Sequence, residues 1–182
     1  MKKFPVILLP LCLLACNTAE KSTPAAEQAS APAAPVISNL YGYTPSYSTS
    51  FVMGDAKNAE AILAVYKEWD NGNLDPVKPL FADSVSMFTS DGSATMGAKD
   101  AAFKQIQDFR NNFSAIKSTV HAVFPVKSAD KNEDWVLIWA TEVNTDKKGK
   151  TDSVRLQETW RFNKEGKIDL MYQYAQVAKP AP

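Results

Sequence analysis

Trp160-Arg161-Phe162-Asn163-Lys164-Glu165-Gly166-Lys167-Ile168 reads as the end of one β-strand, a turn, and the start of the next. Trp160 and Phe162 share one face of the first strand, the polar run Asn163 to Lys167 with its glycine has turn chemistry, and Ile168 resumes the apolar pattern. Working outward, four segments have this β character: 116–127, 134–145, 152–163 and 168–177. The other joints are Lys131-Asn132 and Lys147-Lys148-Gly149-Lys150, and the lysine run is read as a solvated hairpin tip. At about 3.3 Å per residue such strands exceed the usual length, so the sheet is expected to be bent and bulged.

Ahead of these strands the period changes to that of helices. Asp55 is a candidate N-cap, Ala59, Ile62, Leu63, Tyr66 and Trp69 recur at helical spacing, and Asn71-Gly72 is a stop signal, which predicts a helix over 55–70. A short second helix is expected around Asp75 to Phe81, a strand over Val85 to Thr89, and a turn at Asp91-Gly92. Lys99 to Asn112 reads as a third helix with Ala102, Ile106, Phe109 and Phe113 on one face. Helices first and an antiparallel meander after them predict one α+β domain over 55–177, followed by a tail, 178–182.

The N-terminus has a different logic. Lys2 and Lys3 followed by the apolar stretch Phe4 to Ala15 have the form of a signal peptide, 1–15, too short to span a bilayer. Leu13-Leu14-Ala15-Cys16 resembles the bacterial lipobox, whereas Cys12 follows the bulky Leu11. That resemblance implies cleavage before Cys16 and lipidation of its thiol. A lipoprotein anchored to the membrane of a bacterial cell envelope is therefore expected, with Asn17 in place of a retention aspartate favouring the outer membrane. Cleavage removes Lys2 and Lys3 and leaves 18 basic against 20 acidic residues, a net charge of −2, which is no footprint for nucleic acid. It also leaves no free thiol, which excludes disulfides, cysteine metal sites and cysteine nucleophiles. Residues 16–39, rich in Ala, Pro, Ser and Thr, read as a disordered tether. Residues 40–54 hold Leu40, Tyr41, Tyr43, Tyr47, Phe51 and Met53, too much apolar surface for a tether, and are expected to form an arm packed on the domain.

The order of elements, with Leu80-Phe81-Ala82-Asp83 leading into the first strand and Trp160 to Ile168 near the end, resembles the nuclear transport factor 2-like superfamily over residues 55–177. It looks closest to SnoaL-like and ketosteroid-isomerase-like members. The resemblance implies a cone-shaped, cystatin-like fold in which three helices pack on a strongly curved antiparallel sheet around an apolar pocket. Since that superfamily holds isomerases, cyclases, hydratases and dimerisation modules, fold does not decide function.

Alternation puts Glu158, Trp160 and Phe162 on one strand face and Gln157, Thr159 and Arg161 on the other. A carboxyl among aromatic rings disfavours ionisation and is expected to stay protonated near neutrality, unless it is merely a core group satisfied by neighbouring hydroxyls or by Arg155. The resemblance implies the same residue: Glu158 falls where the isomerase keeps a protonated acid in its oxyanion hole. The rest of that apparatus does not carry over. Thr89 takes the position of the catalytic base, which a hydroxyl cannot fill, and the tyrosine donor aligns near Val65, with Tyr66 one residue off and on a different helical azimuth. His121, the single histidine, cannot build a multi-histidine metal site, but it or Asp70 could serve Glu158 as a base.

The family pattern turns Met171 and Gln173 inward and leaves Tyr172 and Tyr174 outside, where they are candidates for a homodimer interface. Trp135 and Trp139 lie on a strand with two apolar faces, so alternation does not place them. The reading favours a binding module over an enzyme, with a small apolar ligand in a pocket of Tyr66, Trp69, Met87, Thr89, Glu158, Trp160, Met171 and Gln173. No cofactor and no metal are implied. The alternatives are a SnoaL-like acid–base enzyme using Glu158 with His121 or Asp70, and a structural envelope protein acting through its outer sheet face.

Overall fold

A computed structural model describes residues 34–176. The signal peptide, Cys16, the tether up to residue 33 and the tail lie outside the described residues. In chain order the elements are β1 (Phe51–Met53), α1 (Ala56–Asn71), a 3-10 helix (Asp75–Leu80), β2 (Phe81–Phe88), β3 (Ala94–Ala98), α2 (Lys99–Arg110), β4 (Phe113–Ser128), β5 (Glu133–Asp146), β6 (Thr151–Phe162) and β7 (Ile168–Ala175).

The helix limits follow from cap chemistry. Asp55 accepts a hydrogen bond from the Lys57 N–H at 2.9 Å and opens α1. Gly72 closes it in the left-handed region at φ 83°, its N–H reaching the Glu68 and Trp69 carbonyls. A Cβ at Gly72 would lie 3.2 Å from the Arg110 guanidinium. Gly72→Ala is therefore expected to cost about 1–2 kcal/mol, read from urea unfolding. The expected second helix is a 3-10 helix, because Pro76 and Pro79 remove two amide donors from a six-residue run.

The four long strands form the expected antiparallel meander, but the sheet as a whole is mixed, in the order β1-β4-β5-β6-β7-β2-β3. The expectation of a purely antiparallel sheet is corrected at β2, which runs parallel to β7, aligning Phe88 with Tyr172. Two further strands were not foreseen. β3 folds back on β2 across the Asp91-Gly92 turn, and β1 adds to the edge of β4. Register shifts at Val120/Ala122 in β4 and Arg161/Phe162 against β7 are the bulges that let long strands curve.

α1 packs on β4 and β5, and α2 on β2 and β3. Between helices and sheet lie the fully buried Ile62, Val85, Val136, Ile138 and Ile168. The inward face of α2 is Ala102, Phe103 and Arg110 with the half-buried Ile106, which corrects the expected stripe: Phe109 is 57% exposed and Phe103 takes its place against Phe81, ring centroids 4.8 Å apart. The segment before β1 divides. Leu40, Tyr41 and Tyr43 are exposed, while Tyr47 lies edge-on to Trp135 at 5.8 Å and accepts a hydrogen bond from its indole. Trp135 is thus buried on the outer side of the sheet, beneath the arm, and Trp139 on that side is 47% exposed.

Candidate functional site

The inner faces of β5, β6 and β7, with α1, α2 and the β2–β3 hairpin, line a partly open cavity of about 380 Å³. Tyr66, Trp69, Met87, Thr89, Glu158, Trp160, Met171 and Gln173 all line it, so every residue assigned to the pocket from sequence lies on its wall. Tyr172 and Tyr174 face outward and are exposed.

Glu158 is the polar centre of this wall and is 4% exposed. Pairing opposes it to Gln173 on β7, and its strand neighbour two residues on is Trp160. Its Oε2 accepts from the Tyr66 hydroxyl at 2.7 Å and the Trp160 indole at 3.0 Å, and its Oε1 accepts from the Gln173 amide at 2.8 Å. These donors, rather than neighbouring hydroxyls alone or Arg155, satisfy it. Burial pushes the carboxyl above its ordinary value of 4.5, and the three hydrogen bonds oppose that push without cancelling it. Tyr66 is held above the usual phenol range by the same burial and by the adjacent Glu158. The resemblance puts Tyr66 one residue from the donor position of the isomerase. In the structure both Val65 and Tyr66 line the cavity, and the length of the tyrosine carries its hydroxyl to Glu158.

A second buried carboxyl escaped the sequence reading. Glu142 on β5 is 9% exposed, lines the cavity and accepts from the Trp69 indole at 2.7 Å. Burial is the main cause of its raised value, with the Asn144 and Trp69 side chains pulling the other way. Its phase was visible in principle: Val136, Ile138 and Ala140 are buried at alternate positions, and Glu142 and Asn144 continue the same face. At the rim, Asp91 accepts from Thr89 Oγ1 at 2.7 Å and Ser93 Oγ at 2.8 Å, which holds its carboxyl down to about 2.

The two candidate bases do not line the cavity. Asp70 spends its carboxylate on the Ser118 N–H and hydroxyl, tying the end of α1 to β4, although its charge still acts on Tyr66 and Glu142. His121 is exposed and pairs through Nε2 with Thr141 Oγ1 at 2.8 Å. Among the described residues there is no cluster of three or more metal-ligating side chains, and no helix is long and apolar enough to cross a membrane.

The raised value of Glu158 fixes the sign of a pH effect. A carboxyl that titrates higher in the folded chain than in the unfolded one contributes stability at low pH and loses it as pH rises through the folded value. Between about pH 4.5 and neutrality the wild type should therefore lose thermal stability relative to Glu158→Gln, with the difference levelling off above the folded value. Parallel melting curves over that range are the measurement, and a flat difference contradicts the burial of an ionisable Glu158.

Residues 62–171 match the family described as SnoaL-like domain. The chain has no match among curated proteins. Solved structures with the same fold include AusH from Aspergillus nidulans, at 13% identity and TM-score 0.55 over 71% of this chain and 90% of that one. An NTF2-like protein of unknown function from Exiguobacterium sp. aligns at 15% identity and TM-score 0.54, over 65% of this chain and 99% of that one. A hypothetical protein with a ketosteroid isomerase-like fold from Catenulispora acidiphila, solved in complex with trimethylamine, aligns at 17% identity and TM-score 0.52, over 63% and 84%. A family match across that span, on a curved mixed sheet that holds its helices around a cavity, identifies the chain as a member of the SnoaL-like domain family, with the nuclear transport factor 2-like fold.

Proposed function

We propose that this SnoaL-like domain is an exported, lipid-anchored binding module that holds a small apolar or amphipathic ligand in its cavity, with Glu158 and Gln173 as polar handles. The observation that carries this reading is the pairing of an aromatic-walled cavity of about 380 Å³ with a buried carboxyl whose donors are all fixed by packing. The complex of the Catenulispora acidiphila protein with trimethylamine supports a ligand-binding role for this fold. Binding is preferred to acid–base turnover because Asp70 and His121 make other contacts and do not line the cavity.

A thermal-shift screen of apolar, steroid-like and anionic small molecules tests the reading. Saturation at a hundredfold excess over Kd stabilises by about 2.7 kcal/mol, a rise of several degrees in a domain of this size. The wild type is expected to shift and Glu158→Gln to lose the shift; no shift by any compound sinks the proposal.

A second reading, an isomerase, dehydratase or cyclase, is favoured by one observation: two carboxyls with raised values, Glu142 and Glu158, line the same cavity. Substrate consumption by wild type and not by Glu158→Gln would establish it over simple binding. Anchoring rests on Cys16, and Cys16→Ser is expected to move the protein from the membrane to the soluble fraction. Tyr172, Tyr174 and Trp139, all exposed on the outer sheet face, support a homodimer through that face. Trp139→Glu should then give a monomer by light scattering.

A further inference from the structure

We propose that the cavity takes a protonated primary or secondary amine on an apolar body, its nitrogen seated between the Glu142 carboxylate and the Asn144 amide oxygen. This rests on the ligand-binding reading above and adds the chemical class of the ligand and a seat for its charged end distinct from Glu158 and Gln173.

The charge of the wall is one-sided. Glu142 and Glu158 lie inside and Asp91 at the rim, while among the described residues no lysine, arginine or histidine lines the cavity. The two inner carboxyls differ in what they still need. Both oxygens of Glu158 are engaged by protein donors. Glu142 has two, the Trp69 indole on Oε2 and the Asn144 side chain. Asn144, two residues further along the same face of β5, has a buried amide oxygen with no hydrogen-bond partner among the described residues. An orphaned buried acceptor beside a carboxylate with room for a further donor is a demand for N–H donors.

The charges packed around Glu142 do not meet that demand. Arg110, on α2, sits with its guanidinium 6.0 Å from the centroid of the Trp69 ring, but its donors go to the main-chain carbonyls of Trp69, Asp70 and Phe113. Asp70, at the end of α1, adds negative charge and is itself occupied by Ser118. An anionic ligand entering this wall would meet two carboxyls, with Arg110 the cation acting on Glu142 and its donors already spent on main-chain carbonyls. A purely apolar one would leave the Asn144 oxygen unpaired. An ammonium satisfies both, and the adjacent rings of Trp69, Phe109 and Phe113 offer apolar surface for its stem.

The test uses three probes of one shape, phenethylamine, phenethyl alcohol and phenylacetate, titrated calorimetrically into the full chain carrying Cys16→Ser. Expected is binding of the amine about tenfold tighter than the alcohol, with none of the carboxylate, since a charge-assisted hydrogen bond replaces a neutral one. Glu142→Gln and, separately, Asn144→Leu should reduce that preference while alcohol binding persists. Equal binding of amine and alcohol, or a preference untouched by Glu142→Gln, overturns the amine assignment and leaves the pocket standing. Binding of none of the three overturns the amine assignment, and a concurrent lack of response to the wider apolar and steroid-like screen overturns the pocket as well.

Discussion

Trp160→Ala is expected to lower the unfolding free energy by about 4 kcal/mol, the largest single effect of any cavity residue. The indole is 6% exposed, packs edge-on to Phe81 at 6.4 Å and donates to Glu158. Truncation removes the aromatic area, enlarges a space already about 380 Å³, and leaves Glu158 short of one donor. Against a total stability on the order of 5–15 kcal/mol such a loss puts the fold near its limit. Trp160→Phe separates the contributions, keeping the ring and losing the N–H, and should cost about 1–2 kcal/mol. Urea titration of both variants beside the wild type is the measurement; equal costs for the two would assign the whole effect to the hydrogen bond.

Arg110→Leu is expected to cost about 3 kcal/mol. Arg110 is 5% exposed and joins three elements: Nε donates to the Trp69 carbonyl at 2.6 Å, Nη2 to that of Asp70 at 3.0 Å, and Nη1 to that of Phe113 at 3.3 Å. Two of these carbonyls belong to the last turn of α1, where a cation also meets the negative end of the helix. Leucine restores apolar volume but pairs none of them. Arg110→Lys should recover less than half of the loss, because a single ammonium does not span three acceptors in a plane. Chemical unfolding of the two variants checks both claims, and a cost below about 1 kcal/mol for Arg110→Leu contradicts the bridging role.

How far the sequence reading reached depends on whether the signal was local. Alternation along 152–163 turns Glu158, Trp160 and Phe162 inward, and all three are buried. Asp55 and Gly72 bound α1 through contacts within a few residues, which is why that helix was legible. The parallel pairing of β2 with β7 was not, since it joins segments some 80 residues apart and no local pattern encodes it. β1 and β3, three and five residues long, are too short to carry a period. Glu142 was hidden because Trp135, Leu137 and Trp139 make the outer face of β5 as apolar as the inner one, and the outer burial of Trp135 comes from Tyr47, which reaches it from the arm. Asp70 was singled out as a base by residue type alone; its bonds to Ser118 are tertiary, and only the fold reveals them.

The most direct test of the central claim, that Glu158 is a desolvated carboxyl poised in a ligand cavity, is a carbon-13 NMR titration of glutamate carboxyls assigned with Glu158→Gln and Glu142→Gln. The Glu158 resonance should titrate above 4.5 in the free protein and shift when a ligand from the thermal-shift screen is added. A Glu158 that titrates at or below 4.5 and is unmoved by every ligand would contradict the account.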